Sequence, residues 1–228
     1  MLENLDAFRQ RTAFVWDSLP REGSFATNPR LLEKVSPGGR LIPFYGDTVI
    51  FDLSDEDKGW LRSIQSKLYC CCFSLLAEPL GEDSFHITLH DLNSAPRRED
   101  VAQAMARSGA AARELLKEQT GVIRVRATAA FSMVNTSVVL GFEPAEEDDC
   151  AALMALYERF QGVVKLNYPL TPHVTLAYYR PGDYGEEGLR KLRGAIETVN
   201  RDMEQRTLRL LQPVYCTFSD MKSYQVQA

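Results

Sequence analysis

The stretches HITL at residues 86–89 and HVTL at residues 173–176 decide the fold of this chain. In each stretch a histidine and a threonine stand two positions apart among apolar residues, which is typical of a β-strand with one polar face. His86 and His173 are two of only three histidines among the 228 residues. Two matched copies of such a rare residue indicate that the chain repeats one supersecondary unit.

The segments around the two stretches repeat in the same order. In the first half, hydrophobic periodicity predicts a strand at 48–53, a helix from Ser54 to Lys67, strands at 68–77 and 85–92, a helix at 96–118 and a strand at 122–134. In the second half it predicts strands at 136–142, 172–179 and 207–218, and helices at 146–160 and 185–203. Two copies of one unit usually form a pseudo-symmetric pair of lobes, so we expect lobes at roughly 68–134 and 135–220 with one cleft between them.

The two ends of the chain fall outside this repeat. Residues 3–19 predict an amphipathic helix that Pro20 ends, and residues 21–40 are rich in glycine and proline, which indicates a connector packed over the core. The apolar stripe of that helix consists of Leu5, Phe8, Val15 or Trp16, and Leu19. We therefore expect an N-terminal helix and connector at 1–43, a two-lobed domain at 44–220 and a C-terminal tail at 221–228.

Composition narrows the classes of function. Hydrophobic residues make up 45% of the chain and charged residues 25%, which is typical of a globular protein and excludes a disordered or collagen-like chain. The net charge of -5 opposes binding of long duplex nucleic acid but allows a pocket for one phosphate. No apolar stretch is long enough to span a membrane, and the charged N-terminal residues differ from a signal peptide. We expect a cytoplasmic monomer with no membrane partner.

The five cysteines include three in a row at residues 70–72. Their odd number favours reduced thiols over a disulfide framework. If residues 68–77 form a strand, neighbouring thiols point to opposite faces and cannot bind one metal ion together. We expect the cysteines to act as small buried apolar side chains.

The polar faces of the two motif strands can carry out chemistry on a phosphodiester. Alternation places His86 with Thr88, and His173 with Thr175, opposite the apolar residues. If the lobes face each other, two imidazoles and two hydroxyls line one groove. One neutral imidazole can take a proton from water while the opposed imidazolium protonates the departing sugar oxygen, because an unperturbed pKa of ~6.5 allows both forms near neutral pH. The hydroxyls can donate to the non-bridging phosphate oxygens.

The two motifs, 87 residues apart within a duplicated β/α pattern, resemble those of the two-histidine (2H) phosphoesterase superfamily, which includes LigT-type 2′-5′ RNA ligases and cyclic nucleotide phosphodiesterases. The resemblance covers residues 44–220 and implies a bilobal α+β fold with antiparallel sheets around a central cleft. It also implies hydrolysis of a 2′,3′-cyclic phosphate or a 2′-5′ linkage of a nucleotide or RNA end, with no metal and no cofactor. Carried over residue by residue, the resemblance implies that the acid–base pair is His86 and His173. It also implies that the phosphate ligands are Thr88 and Thr175.

Three further residues are candidate substrate contacts. Strict alternation puts His90 on the polar face of the first motif strand, at the rim of the cleft, and Tyr179 on the polar face of the second. Tyr45 lies in a turn-like FYGD segment before a predicted strand. If the substrate carries a second phosphate, three cationic side chains could neutralise its charge, namely Arg40, Lys165 and Arg180. The simpler interpretation of each is a solvated surface residue.

Three other functions were considered from the sequence, and the strand geometry argues against the first of them. A zinc site built from the histidines needs residues 86 and 90 close together, but on a strand they stand about 13 Å apart, too far for one ion with ~2 Å bonds. A cleft that binds a nucleotide or RNA end without turnover can use the same fold. Ligation, the reverse of hydrolysis, uses the same groups. The paired histidines favour catalysis, because binding alone needs no matched proton donor and acceptor.

Overall fold

Two four-stranded antiparallel sheets lie at the centre of the computed structural model, which describes residues 3–13, 15 and 19–227. Within those residues the helices are α1 (Leu5–Ala13), α2 (Asp55–Cys72), α3 (Arg98–Leu116), α4 (Glu147–Gln161) and α5 (Glu186–Asp202). The strands are β1 (Phe25–Ala26), β2 (Tyr45–Asp52), β3 (His86–Ala95), β4 (Ile123–Met133), β5 (Ser137–Pro144), β6 (His173–Tyr178), β7 (Asp183–Tyr184), β8 (Thr207–Leu210), β9 (Val214–Phe218) and β10 (Tyr224–Val226). None of the described helices is both long and apolar enough to cross a membrane.

The two sheets meet along the strands that carry the histidine motifs. The first sheet has the strand order β10-β9-β2-β3 and the second sheet the order β6-β5-β4-β8, while β1 and β7 form a separate pair. Both motifs therefore occupy edge strands, β3 and β6, and these two strands contact each other. The predicted α+β fold with antiparallel sheets is confirmed.

Each sheet takes its third strand from the other half of the sequence. The β2–β3 pair is extended by β9 from the second half, and the β5–β6 pair by β4 from the first half. A short turn at Val134 and Asn135, both with positive φ, joins β4 directly to β5 and makes these strands pair. The lobe boundary expected at residues 134 and 135 does not match the sheets, because it separates two neighbouring strands of one sheet.

Helix α2 is longer than predicted. Ser54 caps it as expected and accepts a hydrogen bond from the backbone amide of Asp57 at 3.2 Å. The helix continues to Cys72, because the apolar run keeps helical spacing and no proline occurs before Pro79. The buried positions on this face are Leu61, Ile64, Gln65, Leu68 and Cys72. The strand predicted at 68–77 is therefore wrong.

The expectation that all cysteines are buried is wrong for two of them. Cys72, Cys150 and Cys216 are buried, whereas Cys70 and Cys71 are exposed on α2. A helix turns by about 100° per residue, so three consecutive thiols cannot all face the core. All five thiols are free.

The C-terminal part of the chain completes the first sheet. The strand predicted at 207–218 is two strands, since β8 pairs with β4 in the second sheet and β9 pairs with β2 in the first. Pro213 lies between them and cannot donate to a sheet ladder. The tail predicted at 221–228 contains β10, which pairs with β9.

The N-terminal part has less helix and more buried surface than predicted. The helix expected over 3–19 ends at Ala13, Val15 lies in a turn and Leu19 in a bend, while Trp16 lies outside the described residues. The connector supplies fully buried core side chains, namely Phe25, Leu31 and Val35. Glycine and proline interrupt regular structure in this segment without preventing its apolar side chains from packing.

A buried carboxylate joins the elements of the first sheet. Asp47 on β2 is 1% exposed. One of its oxygens accepts from the backbone amide and the side-chain amide of Asn93 on β3, at 2.9 and 3.0 Å. The other accepts from Ser108 of α3 at 2.6 Å and from Tyr215 of β9 at 3.1 Å. The network links three strands to the helix that covers them.

Replacing Asp47 with alanine is expected to lower the free energy of unfolding by about 3 kcal/mol, because its buried donors lose their acceptor. Urea denaturation of the two proteins measures the difference. The matched control is Asp183→Ala at an exposed position, with an expected change within about 0.5 kcal/mol. A loss at Asp47 no greater than at Asp183 would contradict the structural role of this network.

Candidate active site

The first motif strand contains one extra residue directly after its threonine. In the pairing of β2 with β3, Val49 is opposite His90 and Ile50 is opposite Thr88. Leu89 therefore has no partner across the pair. One unopposed residue in an antiparallel pair is a β-bulge, which reverses the alternation of side chains beyond it.

The second motif strand has the same bulge at the equivalent position. In the pairing of β5 with β6, Val138 is opposite Ala177 and Val139 is opposite Thr175, so Leu176 has no partner. The burial patterns of the two strands agree over the first five residues from each histidine. The internal repeat thus includes the β-bulge after each threonine.

These bulges determine which side chains beyond the threonines reach the cleft. Asp91 and Tyr178 share the face of the histidines and are accessible to solvent. His90 and Tyr179 turn toward the core and are 1% and 0% exposed. The sequence-based placement of His90 and Tyr179 in the cleft is therefore wrong, because it assumed unbroken alternation.

A buried glutamine supports the bulge of β6. Gln65 of α2 donates from Nε2 to the carbonyl oxygen of Leu176 at 2.9 Å, and to that of Leu80 at 3.1 Å. Leu176 is the unopposed residue, and a buried backbone acceptor needs a donor when the regular ladder is interrupted. Gln65 therefore helps to position the cleft residues of β6.

His86 and His173 make matching hydrogen bonds. Nδ1 of His86 lies 2.8 Å from the carbonyl oxygen of Ser84, and Nδ1 of His173 lies 2.7 Å from that of Thr171. A carbonyl oxygen only accepts, so each Nδ1 carries the proton and donates it. In the neutral state each Nε2 then holds the lone pair, and both half-buried rings have the same tautomer.

Burial lowers the pKa of both histidines. The pKa of His86 falls from 6.5 to about 4, because the ring is removed from water and because the positive charge of His173 opposes its protonation. Burial also lowers the pKa of His173. The charge of Asp91 opposes both shifts and raises each pKa. Electrostatic interactions therefore couple His86 to His173, and both rings to Asp91.

Asp91 connects the histidines to a loop outside the sheets. Its Oδ2 accepts a hydrogen bond from the hydroxyl of Tyr168 at 2.8 Å. Tyr168 lies between α4 and β6. Asp91 could not be found from the sequence, because an unopposed residue such as Leu89 in β3 leaves no mark on the hydrophobic pattern.

Two tyrosines border the acid–base candidates. The ring of Tyr224, on β10, packs against His86 with centroids 4.4 Å apart and planes at 60°. The side chain of Thr175 lowers the pKa of Tyr178, against the larger effect of burial. Burial raises the pKa of both phenols, so both keep their protons near neutral pH. In the sequence, only the apolar–polar–apolar alternation of YQV within the expected tail indicated the strand that carries Tyr224.

The remaining sequence candidates lie outside the two motif strands. Tyr45 lies on β2 and pairs with Ala95, nine residues along β3 from His86. Arg40 and Lys165 are exposed side chains. The remaining candidate, Arg180, packs against Gly39. Thr88 and Thr175 are half-buried, each on the strand face of its histidine.

The three histidines do not form a metal site. His90 packs in the core against Tyr157 and Phe160, with ring centroids 5.2 and 6.1 Å apart. Among the residues that the structure describes, no group of three or more His, Cys, Asp or Glu side chains has an arrangement that holds a metal ion.

The depressed pKa of His86 predicts a pH dependence of stability. Between about pH 6.5 and 4 the unfolded chain binds more protons here than the folded chain, so the free energy of unfolding falls as the pH decreases, by at most about 3 kcal/mol. His86→Gln removes this titration. Denaturant titrations from pH 7 to pH 4.5 should show wild type losing more stability than His86→Gln, and a parallel loss would contradict the assignment.

Comparison with known proteins identifies the fold. No known protein-family profile matches the chain, and no curated protein matches it. A conserved protein of unknown function from Agrobacterium tumefaciens, ATU0111, superposes with a TM-score of 0.68 at 16% identity, over 96% of this chain and 98% of that chain. Apo LigT from E. coli superposes with a TM-score of 0.51 at 11% identity, over 81% of this chain and 95% of that chain. The chain therefore has a LigT-like fold.

Proposed function

We propose that this chain is a metal-independent phosphodiesterase that hydrolyses a 2′,3′-cyclic phosphate or a 2′-5′ linkage at a nucleotide or RNA end. The observation that carries the proposal is the matched pair of Nδ1 hydrogen bonds, from His86 to Ser84 and from His173 to Thr171. These bonds give both rings one tautomer and leave both Nε2 atoms for proton transfer. A purely structural histidine needs no such counterpart in the other half of the chain.

The proposed reaction moves one proton at each histidine. Water attacks phosphorus in line with the departing sugar oxygen. A neutral Nε2 takes a proton from that water, and the protonated Nε2 of the other ring gives one to the departing oxygen. The P–O bond to water forms as the P–O bond to the sugar breaks, and the number of protons on the pair stays constant. The hydroxyls of Thr88 and Thr175 donate to the non-bridging oxygens, where negative charge grows.

Electrostatics favour His86 as the base and His173 as the acid. The charge of a bound phosphate favours one proton on the pair. We propose that this proton resides on His173 and that His86, whose pKa burial lowers to about 4, stays neutral. Water activation then occurs beside His86, and the leaving oxygen lies beside His173.

The surroundings of the histidines fit a nucleotide. Tyr224 and Tyr178 border the cleft and offer aromatic faces on which a base can stack. The net charge of -5 favours a nucleotide or RNA end over a long duplex. Five free thiols fit a reducing compartment such as the cytoplasm.

His86→Gln and His173→Gln are each expected to lower kcat by at least about 10²-fold, because each removes one proton transfer. The measurement is hydrolysis of nucleoside 2′,3′-cyclic phosphates and 2′-5′-linked dinucleotides in EDTA. The matched control is His90→Gln, since His90 lies in the core outside the cleft. That variant is expected to melt at a lower temperature and to keep its kcat.

Other results would redirect the proposal. Unchanged kcat in either cleft variant contradicts the acid–base roles, and loss of wild-type activity in EDTA contradicts the metal-free mechanism. Binding of these ligands without turnover identifies a binding module, and joining of RNA ends identifies a ligase. The product isomer, a 2′- or 3′-phosphate, tests the orientation of His86 and His173.

Tyr224→Leu is expected to raise KM about tenfold with a smaller effect on kcat, because base stacking on an aromatic ring contributes to binding. Steady-state kinetics on the best cyclic phosphate measures both constants. Phe73→Leu is the control, at an aromatic side chain that is 63% exposed after α2. Equal effects of the two substitutions would exclude stacking on Tyr224.

A further inference from the structure

The N-terminal connector places one lysine beside the first sheet. Lys34 follows a short 3-10 helix at Pro29–Glu33, and its backbone carbonyl accepts from the amide of Ile42 at 3.0 Å. Its Nζ lies 4.9 Å from the centroid of the Phe44 ring. The side chain is half-buried. No sequence pattern singled out this residue.

A row of aromatic rings leads from Lys34 to the histidines. Phe44 stacks on Phe218 with centroids 6.3 Å apart and planes at 17°. Phe218 lies 5.4 Å from Tyr224, and Tyr224 lies 4.4 Å from His86. The row joins the connector, β9 and β10 to the catalytic candidate on β3.

A glycine of β2 makes room for this row. A Cβ atom at Gly46 would lie 2.3 Å from Cζ of Phe218 and 2.2 Å from the carbonyl oxygen of Asn93. Both distances are far below van der Waals contact, so any side chain here would displace the ring or the strand. The absence of a side chain lets Phe218 lie against the sheet.

The charge of Lys34 has no partner of its own. Lys34 forms no ion pair with any residue that the structure describes, and its neighbour Glu33 lies 3.8 Å from Arg30. Burial lowers the pKa of Lys34, while the charges of Asp91 and Glu33 raise it and that of Arg30 lowers it further. Asp91 already accepts a hydrogen bond from Tyr168.

An unpaired and partly desolvated ammonium group is costly, and a cation–π contact offsets only about 0.5–2 kcal/mol. The charge of Asp91, which raises the pKa of Lys34, also raises the pKa of His86 and of His173. Lys34 lies at the opposite end of the aromatic row from His86. An anion from a ligand would supply the missing partner.

We propose, building on the phosphodiesterase function above, that Lys34 binds a second phosphate of the substrate while the half-buried rings of Phe218 and Tyr224 support the base or sugar between the two phosphates. The substrate class is then a nucleotide or RNA end that carries another phosphate besides the one attacked. A nucleoside cyclic phosphate without a second phosphate leaves Lys34 unpaired and is a poorer substrate.

The first test compares adenosine 2′,3′-cyclic phosphate with its 5′-phosphorylated form. Wild type is expected to prefer the 5′-phosphorylated form in kcat/KM by at least about tenfold, since a charge-assisted contact is gained. Lys34→Met should lose this preference and retain activity on the unphosphorylated form. Lys34→Arg, which keeps the charge, should retain most of the preference. The matched control Lys165→Met, at an exposed lysine, should behave as wild type.

The second test separates this inference from the proposed function. Adenosine 3′,5′-bisphosphate and adenosine 3′-monophosphate contain no bond that the proposed reaction cleaves, so calorimetric titration of each reports binding alone. Wild type should bind the bisphosphate at least about tenfold more tightly, and Lys34→Met should bind both equally. Equal binding by wild type, or a preference that survives in Lys34→Met, overturns the role of Lys34. If no substrate is hydrolysed but the binding preference depends on Lys34, the phosphodiesterase proposal fails and the phosphate site stands.

Discussion

The rest of the structure depends on the exchange of one strand between the two halves of the chain. The first sheet is completed by β9 and the second by β4, so neither half can form its sheet alone. The exchange leaves β3 and β6 as edge strands that contact each other. Their polar faces therefore meet in one cleft, and their apolar faces join a hydrophobic core that contains side chains from both halves.

Two local features then repeat on either side of that cleft. Each histidine donates from Nδ1 to the carbonyl two residues before it, and each strand bulges after its threonine. The first feature gives both rings one tautomer, and the second brings one later residue back to the cleft face. That residue is Asp91 in one half and Tyr178 in the other. A carboxylate and a phenol at equivalent positions make a nearly symmetric backbone electrostatically asymmetric.

The two ends of the chain add a further asymmetry. β10 brings Tyr224 against His86, and the connector brings Lys34 over Phe44. Both additions lie on the side of the first sheet, where Phe218 packs over Gly46. The histidine pair follows from the repeat, whereas the aromatic and cationic surface beside it comes from segments outside the repeat.

The sequence by itself determined the strands of both motifs, the helices α3, α4 and α5, and the shared face of each histidine with its threonine. These features follow from periodicity within a short segment, where alternation or helical spacing has a direct physical cause. It did not determine the continuation of α2 to Cys72, because an apolar run of that length fits a strand or a helix equally well. Only the tertiary structure decided the strand exchange, the bulges at Leu89 and Leu176, and the places of Tyr224 and Lys34. Each depends on hydrogen bonds or packing between residues distant in the chain, which local side-chain periodicity does not record.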